Sequence, residues 1–392
     1  MNFIAIKMLI GDRAKYLGII MGLTFASLLI TQQLGIFLGL MTRTYTPITD
    51  LALPDVWVMD PKVQFIDDIK PLQDTMLYRV RGVEGVEWAV PLYKGLLKAR
   101  LSNGSFQTCN VFGLDDATLI GGPPEMVVGQ LSDLRRAEAV IVDEVGANGK
   151  LARVPSDAWG KPIHGAQPVP LKVGDTLELN DHRATVVGIC RNNRVFQSQP
   201  IIYTTYSRAT MFAPRERKLL SFVLVKAKPT VDHATLCQRI EEVTGLGAET
   251  RDAFKAKTFR YFMENTGIPI NFGIAVVLGF LVGTAIAGQT FYNFTLENLR
   301  HFGALKAMGA GNGMLLRMIL LQALLVGTIG YGLGVGLASL FGKATSGSEL
   351  AFYLPWQLLI FTAAAVMLIC VFSALLSIRK VITLEPAIVF KG

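Results

Sequence analysis

The chain has 392 residues, of which 51% are hydrophobic and only 17% charged, with 38 Lys and Arg against 30 Asp and Glu and a formal charge of +8. So apolar a composition excludes a disordered chain. The placement of the charge excludes nucleic-acid binding: residues 42–268 hold 28 basic and 26 acidic residues, and most of the excess lies in short segments flanking apolar runs.

In chain order, residues 1–16 read as a short amphipathic segment carrying Lys7, Arg13 and Lys15. An apolar run over 17–41 follows, and three more cover 269–294, 314–341 and 356–378. Each exceeds the roughly 20 residues that a helix needs to cross about 30 Å of hydrocarbon. A cleaved signal peptide is the competing reading of the first run, but the run is too long and no small-x-small site follows it. The fold class expected is therefore a four-helix membrane protein with a large external α+β domain of two lobes, residues 42–268, inserted between helices 1 and 2.

Orientation follows from the short flanks. Arg300, Lys306 and Arg317 mark the segment 295–313 and its edge, and Arg379, Lys380 and Lys391 mark the tail 379–392, whereas the short loop 342–355 holds Lys343 balanced by Glu349. Positive-inside reasoning places both termini and the 295–313 segment in the cytoplasm, and the domain outside.

Within the external segment, Asp55-Val-Trp-Val-Met-Asp60 alternates like a strand and Ile66 to Arg81 has helical spacing. Strands over 86–99 and 106–112 flank Asn103-Gly104, a strong hairpin signal. A second hairpin is expected around Asn180-Asp181, then a strand over 221–226, a helix over 231–243, a short strand over 247–250 and a helix over 251–264. Residues 52–114 and 219–250 would share one sheet. The Gly- and Pro-rich stretch 118–215 would form an inserted, mostly β lobe.

Chemistry-bearing patterns are scarce. His164, His182, His233 and His301 are scattered without metal-ligand spacing. Asp143-Glu144 suits an acidic helix start better than a paired-carboxylate site, and there is no Gly-x-Ser-x-Gly elbow. Cys109, Cys190, Cys237 and Cys370 read as buried free thiols, with one disulfide as the alternative. Gly309-Ala-Gly-Asn-Gly313 lacks the Lys-Ser/Thr of a phosphate loop and reads as a helix break. These patterns point away from an enzyme and from any cofactor or metal in this chain.

Inside the apolar runs, glycines recur four apart at Gly18/Gly22, Gly35/Gly39, Gly279/Gly283, Gly330/Gly334 and Gly332/Gly336, a spacing that allows helices to approach closely. Mid-span polar residues such as Ser27, Thr31 and Gln322 are neutral, which disfavours a secondary transporter with its intramembrane charges. The strongest local signal is the segment Glu297 to Ala310. Leu299, Phe302, Leu305 and Met308 recur at three-residue steps, with Arg300 and Lys306 elsewhere. It could lie on lipid or dock in a partner's groove.

That segment resembles the cytoplasmic coupling element of MacB/FtsX-type ABC transporter permeases, in which an acidic and then a basic residue lead into Leu-Lys/Arg-Ala-x-Gly. Asp55 to Pro61, Val111 to Asp115, Val140 to Glu144 and Val173 to Thr176 are similar to recurrent stretches of the family's external domain, and Lys7 through Gly39 is most similar to the DevC-like branch. The resemblance implies a bacterial inner-membrane permease homodimer served by a separate ABC ATPase that binds ATP and Mg, working by mechanotransmission. It implies docking of that ATPase by Glu297, Arg300, Phe302, Gly303, Leu305, Lys306, Met308 and Gly309. A membrane-fusion adaptor and export of a lipid-like, hydrophobic or peptide cargo are expected, with membrane lipid around the helices. The alternative is a non-transporting module that regulates an external partner such as a cell-wall hydrolase or sensor.

Overall fold

The computed structural model describes residues 2–382 apart from 102, 154, 156–162, 164–165 and 215–219, so His164 lies outside the described residues. In chain order the elements are α1 (Asn2–Gly11), α2 (Arg13–Arg43), α3 (Thr46–Asp50), β1 (Val56–Met59), α4 (Thr75–Arg81), β2 (Val86–Arg100), β3 (Phe106–Leu114), β4 (Glu125–Val128), β5 (Ala139–Asp143) and α5 (Glu144–Asn148). They continue with β6 (Thr176–Leu179), β7 (His182–Arg191), β8 (Ile201–Thr205), α6 (Tyr206–Phe212), β9 (Phe222–Ala227), α7 (His233–Thr244), β10 (Gly247–Thr250) and α8 (Arg251–Asn265). The chain closes with α9 (Ile268–Glu297), α10 (Leu299–Ala307), α11 (Asn312–Ala344) and α12 (Trp356–Ile382). Two compact units result, residues 1–40 with 266–392 and residues 41–265.

In the first unit α2, α9, α11 and α12 are long and apolar enough to cross a membrane. Several of the glycines let them meet. A β-carbon at Gly22 would lie 2.6 Å from Ile286, and one at Gly334 would lie 2.5 Å from the β-carbon of Ser27. Gly283 is pressed against Ala26, Gly279 lies over Ile30, and Gly35 and Gly39 both receive Phe352. Gly18 has only ordinary contact with Thr290. A β-carbon at Gly332 or Gly336 meets nothing within 4 Å among the described residues; the neighbouring pair Gly330 and Gly334 carries the α11–α2 contact instead. Hydroxyls complete the seams, with Thr31 donating to Thr362 and Ser27 to the Tyr331 carbonyl.

The external unit is built on one sheet in the order β10-β1-β9-β2-β3-β8-β5-β7-β4, with β6 joined to β2 and β7. Two of its turns carry the sequence signals directly. Gly104 has φ +79 between β2 and β3, and Asn180 and Asp181 have φ 45 and 65 between β6 and β7, as a primed hairpin turn demands. The helix expected from Ile66 is shorter, α4 alone, because Pro71 would clash with the preceding turn of a continuous helix. β2 joins the two halves of the sheet, pairing with β9 over Val86–Leu92 and with β3 over Tyr93–Arg100. Through β8 and β6 the strands of 118–215 pair with β3 and with the second half of β2.

One face of the sheet buries Trp57, Phe222, Phe254, Phe112 and Tyr203 in a single core that runs across both halves. On this face Trp57 meets Phe254 of α8 at 5.7 Å and Phe222 at 5.5 Å between ring centroids. Other apolar residues form smaller cores, among them one around Val80, Leu236 and Ile240 and one around Val140, Ala147 and Phe212. Asp143 ends β5 and caps α5, accepting from the Gly146 and Ile201 amides at 2.9 and 2.7 Å. Burial raises its carboxyl above the usual range, against the lowering effect of those two amides. All four cysteines are free and buried, and burial pushes the Cys109 thiol up to about 12 and that of Cys237 to about 11. Thiols so far from ionisation are inert packing groups.

Candidate coupling surface

The 295–313 segment divides into the end of α9, the nine-residue α10, and a break before α11. Asn298 turns the chain, its side-chain amide donating to the Phe294 carbonyl at 2.9 Å while its own carbonyl accepts from the Phe302 amide. At the far end Gly309 has φ +95, the left-handed conformation that glycine adopts without strain. The Ala310 amide bonds the Leu305 carbonyl at 3.0 Å and the Gly309 amide bonds that of Lys306 at 3.1 Å. This is a Schellman closure, and the Gly-rich run is the helix break its composition suggests.

The three-residue periodicity of this helix marks a face that the chain itself covers. Phe302 is 0% exposed and Leu305 8%, and both belong to the membrane unit's core with Phe291, Phe294, Leu315 and Ile378. Gly303 is buried too. Phe302 and Leu305 are thus not free to enter a partner's groove: an amphipathic helix tethered at both ends satisfies its apolar side against its own bundle first. Of the proposed anchors, Met308 alone is outward, at 76% exposure. Arg300, His301, Ala304, Ala307 and Gly309 share the exposed side, while Lys306 is half-buried.

Glu297 is committed within the chain as well. It pairs with Lys15, which also holds Asp12 at 2.8 Å, so the end of α9 is fastened to the start of α2. The α1 helix joins the same assembly: Ala5 and Leu9 are fully buried, and the Ala5 carbonyl accepts from Gln322 of α11 at 2.7 Å. Sequence reasoning missed Lys15 and the α1 contact. The signal available was the acid-base run Asp12-Arg13-Ala14-Lys15 just before an apolar span.

A model of the MacB-like periplasmic core domain matches residues 17–243, and a model of the FtsX-like permease C-terminal region matches residues 273–386. The chain belongs to the MacB/FtsX family of ABC transporter permeases. An uncharacterized ABC transporter permease of Mycobacterium tuberculosis is 24% identical over 323 residues, 82% of this chain and 80% of that protein. The macrolide export ATP-binding/permease protein MacB of Escherichia coli is 24% identical over 226 residues, 55% of this chain and 35% of that protein. The crystal structure of the periplasmic region of MacB from Actinobacillus actinomycetemcomitans aligns with a TM-score of 0.36 and 16% identity, over 56% of this chain and 96% of that one. This permease is accordingly a multi-pass membrane protein with an external MacB-like domain.

Proposed function

We propose that the chain is the membrane subunit of an ABC transporter in which a separate ATPase, holding ATP and Mg, pushes on the outward side of α10. The observation that carries this reading is the two-sidedness of α10. Its apolar side is locked into the bundle by Phe302 and Leu305, and its exposed side carries Arg300 and His301 among small residues, with Met308 as the large apolar residue. Such a face has too little apolar area to lie buried in lipid, but it suits a shallow contact with a protein, and a helix fixed along one side passes displacement on to its bundle. The basic flanks Lys7, Arg13, Lys15, Arg300 and Arg317 support a cytoplasmic position for both termini and α10. In this reading the external domain moves with the helices to which the chain connects it. Two such permeases work in the inner membrane with a membrane-fusion adaptor to export a lipid-like, hydrophobic or peptide cargo.

The test uses exposed residues, so that the bundle is left alone. Arg300→Glu combined with Met308→Glu should lower co-purification of the partner ATPase with the full chain in lipid nanodiscs by about tenfold or more, since a lost interface hot spot costs about 2 kcal/mol. Unchanged co-purification would overturn the assignment of α10 as the docking element.

A further inference from the structure

The external unit contains a cavity of about 400 Å³ between the middle of β2, the 67–71 loop and the 195–199 loop, within the size range of small-molecule sites. Register explains its lining. Lys94 and Leu96 of β2 lie opposite Phe112 and Asn110 of β3, so the four side chains share one face of the sheet. Ile69, Pro71, Val195 and Phe196 supply apolar wall, and Phe196 is braced by Phe262 at 4.8 Å between ring centroids.

Two buried polar groups line this space. The Lys94 side chain is 1% exposed, and the Asp67 carboxylate is the acceptor that the described residues give its ammonium. Its other close neighbour is the Phe112 ring, 5.7 Å away at the centroid. An ammonium has three N–H donors, so donor capacity remains. Asn110 is 3% exposed and its Oδ1 has no hydrogen-bond partner among the described residues. Buried polar groups left unpaired are costly, and they are found where a ligand completes them.

We propose that this cavity is a binding site for an uncharged, mainly apolar molecule bearing a primary amide, whose carbonyl accepts from the spare Lys94 donors and whose N–H donates to the Asn110 Oδ1 while its body fills the apolar wall. Charge selects the class. Lys94 and Asp67 already neutralise each other, so an anion would face the Asp67 carboxylate and a cation the ammonium. A neutral acceptor meets neither penalty. The assignment does not depend on how the ATPase docks.

Titration calorimetry of octanamide into the full chain in lipid nanodiscs, with empty nanodiscs as the blank, tests it. One saturable site per chain is expected. Lys94→Met should weaken it at least tenfold, as should Leu96→Trp, which fills the cavity from a strand position that is itself 42% exposed and leaves the ion pair intact. Octanoate should bind at least tenfold more weakly than octanamide. Heats no larger than the blank, wild-type affinity in Leu96→Trp, wild-type affinity in a folded Lys94→Met, or octanoate binding as tightly as the amide would each overturn the proposal.

Discussion

The membrane unit buries hydroxyls and one amide, among them Ser27, Thr31, Thr362, Ser377 and Gln322, whereas the external unit buries the ammonium of Lys94 and the carboxylate of Asp143. The difference tracks what surrounds each group. In the spans a hydroxyl can return to a carbonyl of its own helix, as Thr284 does to Phe280 and Ser377 to Ser373, and such a hydroxyl keeps its partner when helices shift slightly. In the sheet a buried charge is tied to fixed backbone amides or a loop carboxylate, so it pins one arrangement. A bundle held by close approach and neutral hydrogen bonds is suited to sliding, and a sheet with pinned charges to keeping its shape.

The largest effect expected concerns the apolar side of α10. Phe302 is fully enclosed by the membrane unit's core, so Phe302→Ala should cost about 3 to 5 kcal/mol of stability by leaving a cavity. Thermal unfolding of the purified chain in detergent measures it. A stable Phe302→Ala protein that merely fails to bind its ATPase would return Phe302 to the docking surface and erase the contrast between the two sides of the helix.

Next in size is a break in the external unit's pinned charge. Asp143→Ala removes the acceptor of two buried amides, those of Gly146 and Ile201. About 3 kcal/mol of destabilisation is expected, since each amide would lose a hydrogen bond that the protein cannot replace. Limited proteolysis should then cut the external unit first. Loss of the membrane helices' integrity at the same denaturant concentration would show that the two units do not differ in the way described.

Local chemistry was the legible part of this fold. The turns at Asn103-Gly104 and Asn180-Asp181, the helix break at Gly309 and the acidic cap at Asp143 could all be read because each depends on residues adjacent in the chain. Coverage could not be read. Periodicity in Phe302 and Leu305 reveals an apolar face but not which surface hides it, and here the chain's own bundle does. The extent of β2 was hidden for a similar reason, since a strand's neighbours change along its length without any change in its alternation. Lys94 was not singled out in the sequence: it is a lone charge in the run Val90-Pro-Leu-Tyr-Lys-Gly-Leu-Leu97, and its partner Asp67 lies 27 positions away in a loop.

Glycine spacing gives the finest test, because α11 carries two interleaved pairs of identical spacing. A β-carbon at Gly334 would lie 2.5 Å from Ser27 and 2.8 Å from the Leu28 amide nitrogen, backbone that cannot yield without moving α2. At Gly332, two residues earlier and on another side of the helix, a β-carbon meets nothing within 4 Å. Gly334→Ala should therefore cost about 1 to 3 kcal/mol through overpacking. Gly332→Ala should stay within about 0.5 kcal/mol of the natural protein, as substitutions away from packed features do. Thermal midpoints of both variants in one detergent decide between the two pairs. Equal losses would mean that the Gly332 side is also covered in solution, and since none of the described residues reaches it, the cover would come from outside them.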